Sequence, residues 1–256
     1  QLSATQIAAF SSTQLSALTR TQITALSATD VAELTTTELA SMSSTMLSSL
    51  SSTALQGLST TLIASLSTTQ IKGITSTQCA ALTETQLAAF ADTQIAALNI
   101  TTIRGLASTA ISALTETQLH ALSPQQLSAI SAAATSMLTT TQLACFNATQ
   151  LAVLTPTQMS SLKSTAIAAL SSTQIQALSS RQIGSINPTA LSGLSTSQIA
   201  LLSATQIQGL TATQVASLSS TAVTSITATQ LGSMSLAQLR AISSTNISAL
   251  TSTQVQ

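Results

Sequence analysis

The sequence predicts an all-α solenoid, a stack of coils built from very short helices. One eight-residue phrase, the octad, recurs 32 times over 256 residues without insertion or deletion. The octad opens with residue types that cap helix N-termini, and its two large apolar positions are three residues apart, as on one helix face. A strict repeat is typical of architectures in which each unit contacts only its neighbours. We therefore expect a single uninterrupted array over residues 1–256, and a segment of a longer chain, because both ends fall inside an octad.

The first position of the octad predicts a helix N-cap. We number the eight phases from this position, so that Ser3 is phase 1 and Phe10 is phase 8. Phase 1 holds Ser, Thr or Asn in 29 of 32 octads, and these side chains accept from the free N–H groups of a helix start. The departures are Ala91, Ala107 and Lys163.

The second position supports this prediction independently. All three prolines lie at phase 2, and proline is favoured at the first helical position, where its missing N–H costs nothing. Acids at phase 2 suit the positive end of a helix dipole. The residues are Pro124, Pro156, Pro188, Glu84, Asp92 and Glu116.

Phase 4 predicts a capping box, since it is Gln in 20 octads, with Asp30 and Glu38 as variants. Phase 3 is Thr in 27 octads, which capping does not explain, so we expect this Thr to stack against its counterparts in adjacent coils. Cations at phase 6 lie toward the helix C-terminus, where they are favoured. They are Lys72, Arg104, His120 and Arg240.

The predicted core is formed by phases 5 and 8. Phase 8 is apolar in all 32 octads, and phase 5 is apolar in every octad except the one with Thr135. Phase 7 is mostly Ala, Ser or Gly, small enough for close backbone approach. Each octad therefore predicts one helix of about one and a half turns that must pack on neighbours, because isolated helices this short are marginal in water.

Two alternatives compete with this prediction. A continuous helix fails, since an octad overshoots two turns by roughly 80° and its apolar stripe would spiral. A β-solenoid stays open because Thr and Ile favour strands, although apolar spacings of 3 and 5 do not match the two-residue period of a strand. We expect two octads per coil as the smallest closed choice and leave three octads open. The prolines recur every fourth octad, which fits a coil of two or four octads and not three.

Composition excludes several function classes. Only 5% of residues are charged and the net charge is zero, which argues against nucleic-acid binding. No apolar run reaches the ~18 residues of a membrane-spanning helix. A weakly charged, neutral surface favours self-association, and a core this thin leaves little stability to spare. We therefore expect self-association into fibres or sheets.

The sequence predicts no catalytic, cofactor-binding or metal-binding residue, and hence no enzyme. His120, the one histidine, occupies a surface phase. Cys79 and Cys145 are separated by several octads, and we expect two buried thiols rather than a disulfide. No cluster of His, Cys and acidic residues has metal-ligand spacing. The glycosylation sequons at Asn99, Asn147 and Asn246 leave glycan attachment open, although two of the three asparagines are predicted caps.

Two tracts resemble octapeptide arrays of the type LTTTQIxAL in very large secreted bacterial surface proteins and adhesins. They are Leu138-Thr139-Thr140-Thr141-Gln142-Leu143 and the nine residues from Leu82 to Phe90. The resemblance implies a structural protein, an extracellular or cell-surface filament, sheath or adhesin stalk. Calcium binding is not implied, because the chain lacks the Gly/Asp nonapeptides of calcium-binding repeats. The alternative is a binding module for ice or a polysaccharide, which requires phase 3 Thr exposed on a flat face.

Overall fold

The computed structural model describes Gln6 and residues 9–255. This part of the chain contains 30 α-helices of four to six residues and no strand. The all-α solenoid of short capped helices is therefore confirmed, and the β-solenoid alternative is wrong. The chain divides into two compact units, Gln1–Ala134 and Thr135–Gln256.

The helices follow one another at eight-residue intervals. Those of the first unit are α1 (Ser12–Ser16), α2 (Arg20–Thr24), α3 (Ala28–Ala32), α4 (Thr36–Ser41), α5 (Ser44–Ser49), α6 (Ser52–Gln56), α7 (Thr60–Ser65), α8 (Thr68–Ile71), α9 (Ser76–Ala81), α10 (Glu84–Ala88), α11 (Asp92–Ala97), α12 (Ile100–Arg104), α13 (Ala110–Ala113), α14 (Glu116–Ala121) and α15 (Pro124–Ala129). The unit boundary falls within α16 (Ala132–Thr135). Those of the second unit are α17 (Thr140–Ala144), α18 (Ala148–Ala152), α19 (Pro156–Ser161), α20 (Ser164–Ala168), α21 (Ser172–Ala177), α22 (Ser180–Ser185), α23 (Pro188–Leu191), α24 (Thr196–Ala200), α25 (Ala204–Gly209), α26 (Ala212–Ala216), α27 (Ser220–Thr224), α28 (Ala228–Gly232), α29 (Leu236–Ala241) and α30 (Ser244–Ser248).

The predicted caps define the helix boundaries. Ser51 is extended (φ −64°, ψ 155°), and its hydroxyl accepts from the N–H of Ala54 at 3.0 Å. Leu50, directly before it, is also extended (φ −62°, ψ 141°). These two extended residues turn the chain between helices. No described residue has a positive φ, so the turn needs no glycine. The three prolines are confirmed at the first helical position.

Each coil holds between three and four octads. In the first unit each helix packs on the helix three further along, from α1 on α4 to α12 on α15, and the same spacing recurs in the second unit. Side-chain hydrogen bonds reach the fourth: Gln70 in α8 donates to the carbonyl of Leu39 in α4, 31 residues earlier. The expected coil of two octads is therefore wrong.

Turn geometry explains the larger coil. A two-octad coil requires the chain to reverse at every cap, whereas a polygon of three to four sides requires only partial turns at its corners. Two extended residues between successive helices give such a partial turn. The recurrence of proline at every fourth octad fitted a coil of two or four octads and did not reveal the observed coil, which is not a whole number of octads.

The core is formed by phases 5 and 8 as predicted. Leu15, Ile23 and Leu39 at phase 5 have no exposed surface, and Thr135, the polar exception, is 1% exposed. Phase 3 differs from expectation, since every described Thr at this phase is exposed. Its side chain lies on the outer side of the helix, while contacts between coils involve side chains or backbone of phases 2, 4, 5, 6, 7 and 8 and, at phase 3, the backbone carbonyl of Thr77.

Phase 7 allows close approach between coils. A Cβ built on Gly57 would lie well inside van der Waals contact with the carbonyl oxygen of Ala28 in the preceding coil. A Cβ built on Gly105 would overlap Ser76 of the preceding coil in the same way. Gly232, at phase 6, has nothing within 4 Å of a Cβ position. Glycine at phase 7 therefore accommodates neighbouring backbone rather than an unusual φ.

We predict that Gly57→Ala lowers the free energy of unfolding by about 1–3 kcal/mol, because the added methyl group forces two coils apart. The matched control is Gly232→Ala, which has open space and should stabilise by about 0.4–1 kcal/mol through reduced unfolded-state entropy. Urea unfolding of both variants measures the difference. Equal effects of the two substitutions would contradict the close approach.

Candidate functional site

The most regular polar feature of the structure is a series of glutamines at phase 4 that join one coil to the preceding one. We call this series the amide ladder. Its members in the first unit are Gln70, Gln78, Gln86, Gln94, Gln118 and Gln126, and in the second Gln174, Gln182, Gln198, Gln206, Gln214, Gln230, Gln238 and Gln254.

Gln78 shows the geometry of one member. Its Oε1 accepts from the N–H of Thr75 at 2.9 Å and from the Thr75 hydroxyl at 3.1 Å, which completes the capping box of its own helix. Its Nε2 donates to the carbonyls of Leu47 at 2.7 Å and Leu50 at 2.8 Å. Those residues lie 31 and 28 positions earlier, at the C-terminus of a helix in the preceding coil. One amide thus satisfies both a helix start and a helix end.

Burial makes the loss of these hydrogen bonds energetically costly. Gln78 is 2% exposed and Gln118 is 1% exposed, and a buried polar group without a partner costs about 1–3 kcal/mol. The last carbonyls of a helix lack some of the N–H partners that earlier ones have. The Leu47 carbonyl accepts from the N–H of Leu50 as well as from Gln78, so the next coil adds a second donor there and also supplies a donor to the carbonyl of Leu50. In the described part of the chain, every buried side-chain nitrogen and oxygen has a hydrogen-bond partner.

The sequence prediction explained only one of the two hydrogen-bonding roles of the phase 4 glutamine. It identified the acceptor role of Gln in the capping box, which Glu performs equally well, and missed the donor role toward the preceding coil. The signal was present, because a helix start favours an acid, yet phase 4 holds Gln in 20 octads and Glu once. A carboxylate only accepts, so a preference for the amide indicates a required donor.

Two substitutes for Gln keep part of the contact. Thr102 donates its hydroxyl to the carbonyl of Ile74 at 2.7 Å, and Asn246 donates Nδ2 to the carbonyl of Leu218 at 2.8 Å. Ala at phase 4 has no donor. Shallow grooves lie beside Thr102 in the first unit and beside Ala190 in the second, and a similar groove lies beside Gln126, where the glutamine is present.

The residues considered for chemistry lie on different elements. His120 is exposed in the last turn of α14. Cys79 is buried in α9, and burial raises the pKa of its thiol to about 12. Cys145 is half-buried, and its Sγ donates to the carbonyl of Gln142 at 2.8 Å. Both cysteines are free. The expectation of two buried thiols is therefore confirmed for Cys79 and not for Cys145, which lies at the edge of the inter-coil contact.

The three sequons differ in accessibility. Asn99 and Asn147 are exposed, and the side-chain oxygen of each accepts the N–H of the residue three further along, as a cap. Asn246 is 4% exposed and its amide nitrogen is engaged with Leu218. The Asn246 sequon is therefore closed to modification in the folded chain.

Other features of the described residues show no ligand site. They contain no group of three or more His, Cys, Asp or Glu side chains that could hold a metal. None of their helices is long and apolar enough to cross a membrane. The core of the second unit encloses a cavity of about 10 Å³ among apolar side chains that include Leu191, Ile199 and Leu210, about the space of one water molecule.

Comparison with known protein families finds no match to the chain, and none of the curated proteins matches it. The similarity to octapeptide arrays of secreted surface proteins therefore stays a prediction.

We predict that Gln78→Glu lowers the free energy of unfolding by about 2–5 kcal/mol at pH 7, because it places a buried carboxylate against two carbonyl oxygens. Gln14→Glu is the matched control, since Gln14 is exposed and, among the described residues, makes only the capping box; its effect should stay within about 0.5 kcal/mol. Urea unfolding of the two variants measures both values.

The pH dependence of Gln78→Glu provides a further check. Burial should raise the folded-state pKa of the introduced carboxyl above its unfolded value of about 4.3. The folded variant then binds a proton more tightly than the unfolded chain, so its deficit relative to the parent chain should shrink as the pH falls toward 4. A deficit that stays constant with pH would contradict the assigned contact.

We predict that Cys79 resists thiol reagents in the folded chain, because the thiolate is the reacting species and burial raises the pKa of Cys79 to about 12. Labelling with a maleimide at pH 8 should modify only Cys145 at first. A Cys145→Ser chain isolates the second thiol and should react only after unfolding in denaturant. Rapid reaction of that chain under native conditions would show that the α9 core opens readily.

Proposed function

We propose that this chain is a structural protein, a repeat array that acts by its extent and regularity as a filament, a sheath or an adhesin stalk. The observation that carries the proposal is the amide ladder, in which each coil presents donors to the coil before it and carbonyls to the coil after it. Such a contact can continue for any number of coils.

The roles of the side chains at the eight phases support a structural function. Apolar residues at phases 5 and 8 fill the coil, phases 1 and 4 close helix ends, and phase 7 sets the spacing between coils. Few residues remain for chemistry: His120 and Cys79 lie in different helices of the first unit, and Cys145 lies in the second unit. An enzyme needs several such groups in one pocket.

We place the protein outside the cell or on the cell surface. Support comes from the resemblance of its octads to arrays in secreted bacterial surface proteins. Only 6 of 256 residues are Lys or Arg, which leaves few sites for trypsin-like proteases and suits an exposed fibre.

A second candidate function is a binding module, and one observation favours it. Every described phase 3 Thr is exposed, although nothing in the helix or the core requires Thr at this position. Successive helices turn around the coil, so these side chains face several directions rather than one plane. That distribution suits an extended polysaccharide better than the flat lattice of ice.

Cryo-electron microscopy of the purified chain tests the proposed function. We expect thin particles or fibres in which short-helix coils stack along one axis, because each coil needs neighbours on both sides. Compact particles without such stacking would contradict a structural role.

Sedimentation with insoluble polysaccharides separates the two candidates. A structural protein should remain in the supernatant at concentrations where it does not sediment alone. Saturable binding that is lost when exposed phase 3 Thr residues are replaced by Ala would favour the binding module.

A further inference from the structure

Each unit has a shallow groove where the end of one helix, the turn after it and the start of a helix in the next coil meet. The helices are α8, α9 and α12 in the first unit and α19, α20 and α23 in the second. Both grooves are lined by phases 6, 7 and 8 of one octad, phases 1 and 2 of the next, and phases 1, 3 and 4 of an octad further along. We call them the lysine grooves. Their polar side chains are Lys72, Ser76, Asn99, Thr101 and Thr102 in the first unit, and Ser160, Lys163, Ser164, Asn187 and Thr189 in the second.

The grooves bring together two residue types that are rare in this chain. Lys72 and Lys163 are its two lysines, and Asn occupies phase 1 in three of 32 octads. Each groove nevertheless contains one of these lysines and one of these asparagines, Asn99 or Asn187. The repeat itself, which uses mostly Ser, Thr and Ala at the same phases, does not explain this pairing.

Lys163 is present at a cost to the fold. It occupies phase 1, where nearly every other octad has a capping side chain, and α20 starts without a side-chain cap hydrogen bond. Loss of a cap destabilises a helix start. A residue that weakens its own helix indicates a role outside helix formation.

The polar groups of both grooves have hydrogen-bonding capacity that the fold does not use. Neither lysine ammonium group forms a hydrogen bond or ion pair with a described residue. Asn99 accepts from the N–H of Thr102 at 2.8 Å and makes one long contact from Nδ2 to the carbonyl of Lys72, at 3.4 Å. Asn187 also uses Oδ1 to accept from a backbone N–H, at 2.9 Å, and its Nδ2 has no partner among the described residues.

The charge of the grooves favours an anionic ligand. Both lysines are exposed, and no Asp or Glu is among the residues that line either groove. Residues 135–256, which form the second unit, contain no acid. One cation per groove is too sparse for the dense phosphates of a nucleic acid. The surrounding hydroxyls can both donate to and accept from hydroxyl groups, so a sugar chain with an occasional acidic group matches the lining.

We propose that the lysine grooves bind an acidic polysaccharide, a chain of sugars that carries carboxylate or sulfate groups. In each groove the ammonium group pairs with the acidic group, while the asparagine Nδ2 and the Ser and Thr hydroxyls bind sugar hydroxyls. The second groove offers a further acceptor in the carbonyl of Leu162. Ala190 stands where a ladder glutamine would donate to that carbonyl, and no other described residue donates to it.

This binding goes beyond the structural function, which needs no ligand. It also differs from the second candidate function, because it belongs to two lysine-containing grooves rather than to the phase 3 Thr of every octad. A third groove of the first unit, at a similar place in the repeat, has no charged residue in its lining. Its phase 6 residue, in the position of Lys72, is Ala96, so the acidic ligand has no cation there.

Two double variants with the same change in net charge test the role of the lysines. Lys72→Gln/Lys163→Gln removes the ammonium group from both grooves. Arg181→Gln/Arg240→Gln is the matched control, since both arginines are exposed and line neither groove. Circular dichroism checks that both variants keep the helical fold of the parent chain.

A third variant tests the asparagines without removing the helix caps. Asn99→Asp/Asn187→Asp keeps a side-chain oxygen that accepts from the helix start, and places a carboxylate in each groove. We expect it to weaken binding of an acidic ligand, because the carboxylate repels the ligand and cannot donate as the amide does.

Fluorescence anisotropy with labelled oligosaccharides of equal length measures the binding. The probes are an oligogalacturonate, which carries carboxylates, a heparin oligosaccharide, which carries sulfates, and a neutral maltooligosaccharide. We expect the parent chain to bind at least one acidic probe at least about tenfold more tightly than the neutral one. The lysine and asparagine variants should bind that probe at least about tenfold more weakly than the parent, and the arginine variant within about twofold.

Three results would overturn the assignment. Equal loss of binding in the lysine and arginine variants would show a general attraction of charge. Equal binding of the neutral probe would remove the role of the acidic group, and no binding by the parent chain would remove the site. None of these results changes the stacked coils that cryo-electron microscopy should show, so the structural function is tested separately.

Discussion

The structure depends on one side-chain amide that acts in two directions at once. A phase 4 glutamine such as Gln206 accepts from the N–H of Ser203 at 2.9 Å and donates to the carbonyls of Ile175 and Leu178, each at 2.7 Å. Helices of four to six residues leave several of their N–H and carbonyl groups without a partner in the same helix. The amide satisfies some groups at both kinds of terminus, and burial makes each bond costly to lose. Short helices are stable here because the next coil completes them.

This constraint explains the other phases of the octad. A hydroxyl or Asn at phase 1 positions the helix start, so that the phase 4 amide projects inward. Apolar phases 5 and 8 bring the carbonyls of the preceding coil within its reach. Glycine at phase 7 appears where backbone from the neighbouring coil comes closest, as Gly209 does against Ser180. The exposed phase 3 Thr is the residue that stacking leaves unexplained, and it is the reason a binding function stays a second proposal.

The sequence was sufficient to predict the local structure and insufficient to predict the number of octads per coil. Caps at phase 1, prolines such as Pro156 at the first helical position, and a core at phases 5 and 8 follow from interactions within a few residues of the chain. The coil size depends on a turn angle between successive helices, which residue types alone do not determine. The donor role of Gln depends on residues 28 and 31 positions away, such as Leu50 and Leu47 for Gln78, and was visible only as a preference for Gln over Glu. The prediction that phase 3 Thr residues stack between adjacent coils rested on the regularity of the repeat alone, without a contact to support it.

Hydrogen exchange of glutamine side-chain amides tests the central claim most directly. In a chain labelled with ¹⁵N at glutamine side chains, the Nε2 protons of buried ladder members such as Gln78 and Gln206 should exchange slowly, because each donates to carbonyls in the preceding coil. Those of exposed Gln14, Gln22 and Gln176 should exchange as rapidly as in an unfolded peptide, under dilute conditions where the chain is monomeric. Uniformly fast exchange of all glutamine amides in the folded chain would show that the coils are not held together by this contact.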